Sequence, residues 1–103
     1  MKKVAYSKRG SRDFHKLKEF YNHLYGEKKT RSILEELDKT ILILESPNFN
    51  FKESGEIDQQ FDHLEYEYRK LIHHHCKITY REGKEFIYVV RVFDTRQAPD
   101  RNL

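Results

Sequence analysis

The stretch Cys76-Lys77-Ile78-Thr79-Tyr80-Arg81-Glu82-Gly83-Lys84-Glu85-Phe86-Ile87-Tyr88-Val89-Val90-Arg91-Val92-Phe93 decides the fold. Two runs rich in Val, Ile, Tyr and Phe flank a glycine turn, the pattern of a β-hairpin. Strands are expected over 76–81 and 86–93, with Glu82-Gly83-Lys84 between them. Alternation sends Cys76, Ile78 and Tyr80 to one face and Lys77, Thr79 and Arg81 to the other. If the turn pairs Arg81 with Glu85, then Ile87, Val89 and Arg91 share the face of Lys77 and Arg81, while Phe86, Tyr88, Val90 and Val92 face the core. A two-residue turn would reverse that parity.

Upstream, residues 64–72 read as a further strand, and 47–60 as a loop holding Pro47 and Gly55. The period changes before that. Phe14, Leu17, Tyr21 and Leu24 recur at steps of three and four from Ser11 onward, and Gly26 supplies a stop. A second helical stripe, Ile33, Leu34, Leu37, Ile41 and Leu44, ends at Ser46-Pro47. Residues 2–7 suit a short first strand. The expected architecture is therefore α+β: a short N-terminal strand, then an antiparallel helical hairpin packed on one face of an antiparallel β-sheet.

The 103 residues, 37% hydrophobic, allow one core. A chain of this size buries somewhat over 60% of its unfolded surface, so a single domain over 1–103 is expected and a second lobe is excluded. No apolar run, Ile41-Leu42-Ile43-Leu44 included, comes near the roughly 20 residues of a membrane span. Lys2 and Lys3 precede no hydrophobic stretch of a secretory signal, and lone Cys76 forms no internal disulfide. A cytoplasmic setting away from membranes follows as the expectation. Net charge is +3 but uneven: residues 1–31 sum to +7, 32–67 to −8 and 68–103 to +4. Bringing the two basic ends together would create a cationic surface suited to phosphates or an acidic protein. There is no Gly-rich phosphate loop and no dinucleotide fingerprint, so no cofactor is expected.

Tyr68-Arg69-Lys70-Leu71, then Lys77-Ile78-Thr79-Tyr80-Arg81, a Gly turn and Ile87-Tyr88-Val89-Val90-Arg91-Val92-Phe93-Asp94-Thr95-Arg96-Gln97, resembles the RelE/ParE superfamily of toxins from bacterial type II toxin–antitoxin modules. The Val92-Phe93-Asp94-Thr95-Arg96-Gln97 ending is similar to the branch known as plasmid stabilisation proteins. The resemblance covers nearly the whole chain and is most specific over 66–99. It implies a toxin bound by a cognate antitoxin, which lays a helix over the helical hairpin and an extended segment on the sheet. It also implies one of two activities: ribosome-dependent mRNA cleavage by an endoribonuclease (an mRNA interferase), taken here as the leading expectation, or inhibition of DNA gyrase. A catalytically silent, antitoxin-binding relative is the third possibility.

Metal-independent RNA cleavage needs a group to activate the 2′-hydroxyl, a cation for the pentavalent phosphate and an acid for the leaving oxygen. By resemblance, Lys77, Arg96 and Lys70 stand at catalytic positions, with Arg69, Arg81 and Arg91 as RNA-binding cations. The Tyr or His that RelE-like nucleases carry after Arg96 is missing, and Asp94 stands where some relatives have His. His73 and His75 share a face on a regular strand and are candidate acid/base groups. A connecting turn of satisfied or exposed histidines is the competing reading. Two such histidines also suit zinc, but no carboxylate or thiolate completes the set in sequence, so no metal is expected. Cys76 reads as a small core residue rather than a nucleophile.

Overall fold

The computed structural model describes residues 2–46, 56–57 and 68–97. Strand β1 (Lys3–Tyr6) runs into Ser7, whose extended backbone and side-chain oxygen cap helix α1 (Lys8–Tyr25) by accepting from the Gly10 N–H at 2.9 Å. Gly10 lies where α1 crosses the sheet. A Cβ there would collide with the Val89 carbonyl oxygen, so only glycine lets the helix start this close to the strand.

Gly26, at φ 85°, ends α1 by donating its N–H to the Asn22 carbonyl. Helix α2 (Glu27–Leu42) begins at the next residue, and the Gly26 carbonyl accepts from the Thr30 N–H at 3.1 Å. One residue thus serves both helix ends, in a left-handed-side conformation that favours glycine. A 3₁₀ turn, Ile43–Glu45, follows α2. From it Glu45 returns to β1, accepting the Val4 N–H at 2.8 Å.

The remaining strands are β2 (Glu56–Ile57), β3 (Arg69–His73), β4 (Cys76–Glu82) and β5 (Phe86–Asp94). They form one sheet in the order β1-β5-β4-β3-β2. The meander from β2 to β5 is antiparallel, as expected, while β1 lies parallel to β5 at the edge, which makes the sheet mixed. β2 falls within the stretch expected to be loop. The rest of that loop, and the first part of the strand expected over 64–72, lie outside the described residues.

The helical hairpin covers one face, and Leu17, Leu37, Ile41, Ile78, Val89 and Val92 form the centre of the core, each 1% exposed or less. Leu24, expected on the buried stripe, is 47% exposed beside the helix end. Among the described residues no helix is long and apolar enough to cross a membrane.

The parity of β5 departs from the expected one. Arg81 opposes Tyr88 and Glu82 opposes Ile87, so Gly83 to Phe86 form a four-residue connection closed by Gly83 N–H to Phe86 O at 2.7 Å. Ile87 and Val89 therefore turn into the core, whereas Phe86 is exposed and Tyr88 and Val90 are half-buried. The ladder then slips: Tyr80 pairs with Val89 but Thr79 with Arg91, leaving Val90 as an extra residue in a β-bulge. The bulge puts both Arg91 and Val92 on the helix side.

Arg91 was expected on the exposed cationic face. It is instead 5% exposed and donates Nε–H to Asp13 Oδ2 of α1 at 2.6 Å. The same oxygen accepts the Val92 N–H at 3.0 Å. Its Nη2 has no hydrogen-bond partner among the described residues, a cost that makes the Asp13 contact the more necessary. Removing one partner of a buried ion pair strands the other charge. Asp13→Ala is therefore expected to lower unfolding free energy in urea by about 3–4 kcal/mol, and the apolar double replacement Asp13→Leu/Arg91→Met to recover most of it. An unchanged urea midpoint for Asp13→Ala would remove the pair from this role.

Candidate functional site

With Arg91 withdrawn, the outer face of the sheet still gathers three of the expected cations. Lys77 and Arg81 flank Thr79 on β4, each two residues away and so about 6.7 Å along the strand. Lys70 of β3 stands directly opposite Thr79. All three are half-buried. Lys77 lies over the ring of Phe93, its register partner on β5, at 5.7 Å, and Arg81 lies over Tyr88, its own partner, at 4.5 Å. These cross-strand cation–π contacts hold the charges against the sheet rather than letting them sweep solvent. The trio is a cationic patch able to meet phosphate or carboxylate groups. Arg69 is not part of it, since it opposes Tyr80 on the helix-facing side.

Arg96 is also elsewhere. β5 ends at Asp94, which is completely buried and turned toward α1. Tyr21, on the buried stripe of α1, donates its hydroxyl to Asp94 Oδ2 at 2.8 Å. Arg96 clasps the same carboxylate with two parallel bonds, Nε to Oδ1 at 2.9 Å and Nη2 to Oδ2 at 2.8 Å, and adds its backbone N–H to Oδ1 at 2.8 Å. Its remaining Nη1 donates to the Tyr25 hydroxyl at 2.8 Å. The Asp94 N–H is taken by Gln97 Oε1. Arg96, expected at a catalytic position, thus closes a network on the helix side of the sheet, and it does not converge with Lys77.

Burial works against ionisation of Asp94, but the Arg96 hydrogen bonds, with that of Tyr21, outweigh it and hold the carboxyl below its ordinary range. The same contacts raise Tyr21, through burial first and then the bond to Asp94. Cys76, opposite Asp94 on β4, is buried, and burial together with the nearby carboxylate pushes its thiol up to about 12. It is a protonated core residue with no nucleophilic character near neutral pH, in line with its sequence reading.

The histidine run makes the β3–β4 connection. His73 pairs with Cys76, so His74 and His75 are the turn, and His74 adopts φ 55°. This rotation breaks the regular alternation that would have put His73 and His75 together. The pair that meets is His73 and His74, with ring centroids 4.5 Å apart, and both lie near Glu36 of α2. The His75 carbonyl accepts the Thr95 N–H, tying the turn to the end of β5. Asp13, Tyr21, Tyr25 and Glu36 were not singled out as polar partners in sequence. The one available signal was Tyr21, a phenol within an apolar stripe, which needs a hydrogen-bond partner when buried.

The Asp94 network predicts an acid-sensitive fold. Its folded pKa lies below the unfolded value of about 3.9, so its contribution is complete above that pH and is lost as pH falls through the folded value. Urea midpoints measured from pH 7 down to pH 2 are expected to drop for the wild type and to drop less for Asp94→Asn. Arg96→Ala is expected to cost about 2 kcal/mol, a figure reduced because the Arg96 side chain is 39% exposed.

Among solved structures, the fold is similar to a chain of the chromosomal ParDE toxin–antitoxin system from P. aeruginosa. The TM-score is 0.72 at 14% sequence identity, over 91% of this chain and 96% of that one. No curated protein sequence gives a significant match. The family model of the ParE toxin of type II toxin–antitoxin systems (parDE) matches residues 4–99. This chain, with its helical hairpin laid on a mixed sheet, belongs to the ParE toxin family.

Proposed function

We propose that this protein is a toxin that arrests growth by binding DNA gyrase, without making or breaking bonds itself, and that a cognate antitoxin keeps it silent. The observation that carries this reading is the engagement of Arg96. A nuclease of the expected kind would hold that guanidinium beside Lys77 to receive a phosphate, whereas here it is bound to Asp94 and Tyr25. Membership of the ParE family supports the same direction, since ParE-type toxins act on gyrase. The antitoxin follows from the family, as the other half of a type II module. The groove between α1 and α2 sets Phe14 and Leu34 among the charged Lys18, Glu27, Arg31 and Asp38, a mixed lining suited to an amphipathic segment of such a partner. The target surface in this reading is the outer patch of Lys70, Lys77 and Arg81.

Ribosome-dependent mRNA cleavage is the second reading, and the same three cations are the feature in its favour. Its proton carriers are the difficulty. Of the histidines, His73 and His74 lie near Glu36 of α2, toward the helices and away from the face of Lys77.

Both readings meet in one experiment on the purified chain freed of its antitoxin. Gyrase supercoiling is expected to fall with added protein, while primer extension on mRNA from a cell-free translation reaction shows no new 5′ ends. The triple variant Lys70→Ala/Lys77→Ala/Arg81→Ala is expected to lose gyrase inhibition by about tenfold or more while keeping its urea midpoint. New ribosome-dependent 5′ ends with unimpaired gyrase would overturn the proposal in favour of the nuclease. Neither effect, with no growth arrest on overexpression, would overturn it in favour of a silent relative.

A further inference from the structure

Glu36 projects from the second half of α2, His73 ends β3, and His74 opens the tight turn that follows. Glu36 Oε1 lies 3.8 Å from Nε2 of His73 and 3.7 Å from Nε2 of His74, and the three ligand atoms all lie within 4.8 Å of one another. Those separations are too long for hydrogen bonds. They are close to the spacing of donors around one small cation: ligands about 2.0–2.1 Å from a tetrahedral zinc ion stand about 3.3–3.4 Å from each other. The Glu36 and His74 side chains are 61% and 74% exposed, so rotamer adjustment can close the few tenths of an ångström that remain to Glu36 and the larger gap, up to about 1.4 Å, between the two imidazoles.

A second observation orients the donors. The Thr40 hydroxyl, one turn after Glu36, donates its proton to the Glu36 carbonyl at 3.1 Å and lies 3.3 Å from Nδ1 of His73. With that proton on the Glu36 carbonyl, Thr40 Oγ1 is placed to accept from Nδ1–H of His73, the tautomer that leaves Nε2 bare for a metal. In that tautomer the imidazole nitrogen stands 3.8 Å from a carboxylate oxygen, two lone pairs that a cation between them would hold together. A polar group on the far side of the ring that fixes the tautomer is also the usual support of a metal-bound histidine. The turn supplies a third observation. His74 occupies a left-handed position where Gly or Asn would be relaxed, and this geometry is what swings its ring beside that of His73.

We propose that Glu36, His73 and His74 form a zinc site that joins α2 to the β3–β4 turn. Two imidazoles and one carboxylate are a donor set that suits zinc, and the fourth position is open to water or to a side chain of a bound partner. The site lies at the hairpin end of the sheet and is independent of the choice between gyrase and ribosome.

The test titrates Zn²⁺ alone into the purified chain, with a chromophoric chelator as competitor and thermal unfolding followed with and without the metal. One zinc per chain is expected, with a rise in Tm on binding. Glu36→Gln and His74→Ala are each expected to weaken binding by at least about tenfold and to abolish the Tm rise, and Thr40→Val to weaken it by about tenfold. His75→Ala, the neighbour in the same run, is expected to leave affinity unchanged. All four substitutions sit at the surface or its margin, and equal Tm values without zinc verify that each variant is folded. Absence of stoichiometric binding would overturn the proposal. So would an unaltered affinity in Glu36→Gln, or a loss in His75→Ala as large as in His74→Ala, which would mean that any pair of the three histidines chelates the ion.

Discussion

The Asp13 carboxylate beneath α1 is the contact on which the register of β5 depends. It accepts from the Arg91 side chain and from the Val92 backbone with one oxygen, at the place where the β5 ladder carries its extra residue. A bulge can migrate along a strand unless something holds it, because a one-residue slip exchanges the two faces of everything beyond. Here the exchange would send Val92 and Asp94 to solvent. A charge in the core is costly, and that cost makes the correct register the one in which Arg91 finds its partner.

A second carboxylate holds the other end of the same strand. Asp94 joins Tyr21 of α1 to Arg96, and Arg96 reaches on to Tyr25. The two acids thus anchor β5 to the first and last parts of α1, with Val89 packed beneath Gly10 at the helix start. β5 is also the strand between β1 and β4, so the sheet and the helical layer share a single spine. In this ParE-family chain the arginine near the C-terminal end of the fold serves as a strut between β5 and α1.

Much of the architecture was legible in the sequence because it rests on local periodicity. Leu17 and Tyr21, then Leu37, Ile41 and Leu44, recur at helical spacing and are all buried. Cys76, Ile78 and Tyr80 alternate and are buried as well. The parity of β5 was not legible, since Phe86 to Val90 is apolar on both faces and local pattern offers no preference between them. Nor was the fate of Arg91 or Arg96. An arginine in a strand reads as exposed until its acid is found, and Asp13 is 78 residues from Arg91. The carboxylate that the histidine run lacked in sequence comes from α2, at a distance along the chain that spacing rules do not cover. β2, with two residues, is too short to leave a periodic signal.

Glu45 has a bearing on how the free toxin behaves in solution. β1 is a sheet edge, and an edge with open N–H groups is a template on which a second chain can add a strand. By accepting the Val4 N–H, and by standing 3.8 Å from Lys3 Nζ, Glu45 occupies that template with a charged side chain of the molecule itself. A charged side chain set across the edge hinders strand-to-strand self-association there, so the edge is guarded by the molecule's own acid and needs no partner chain for that purpose.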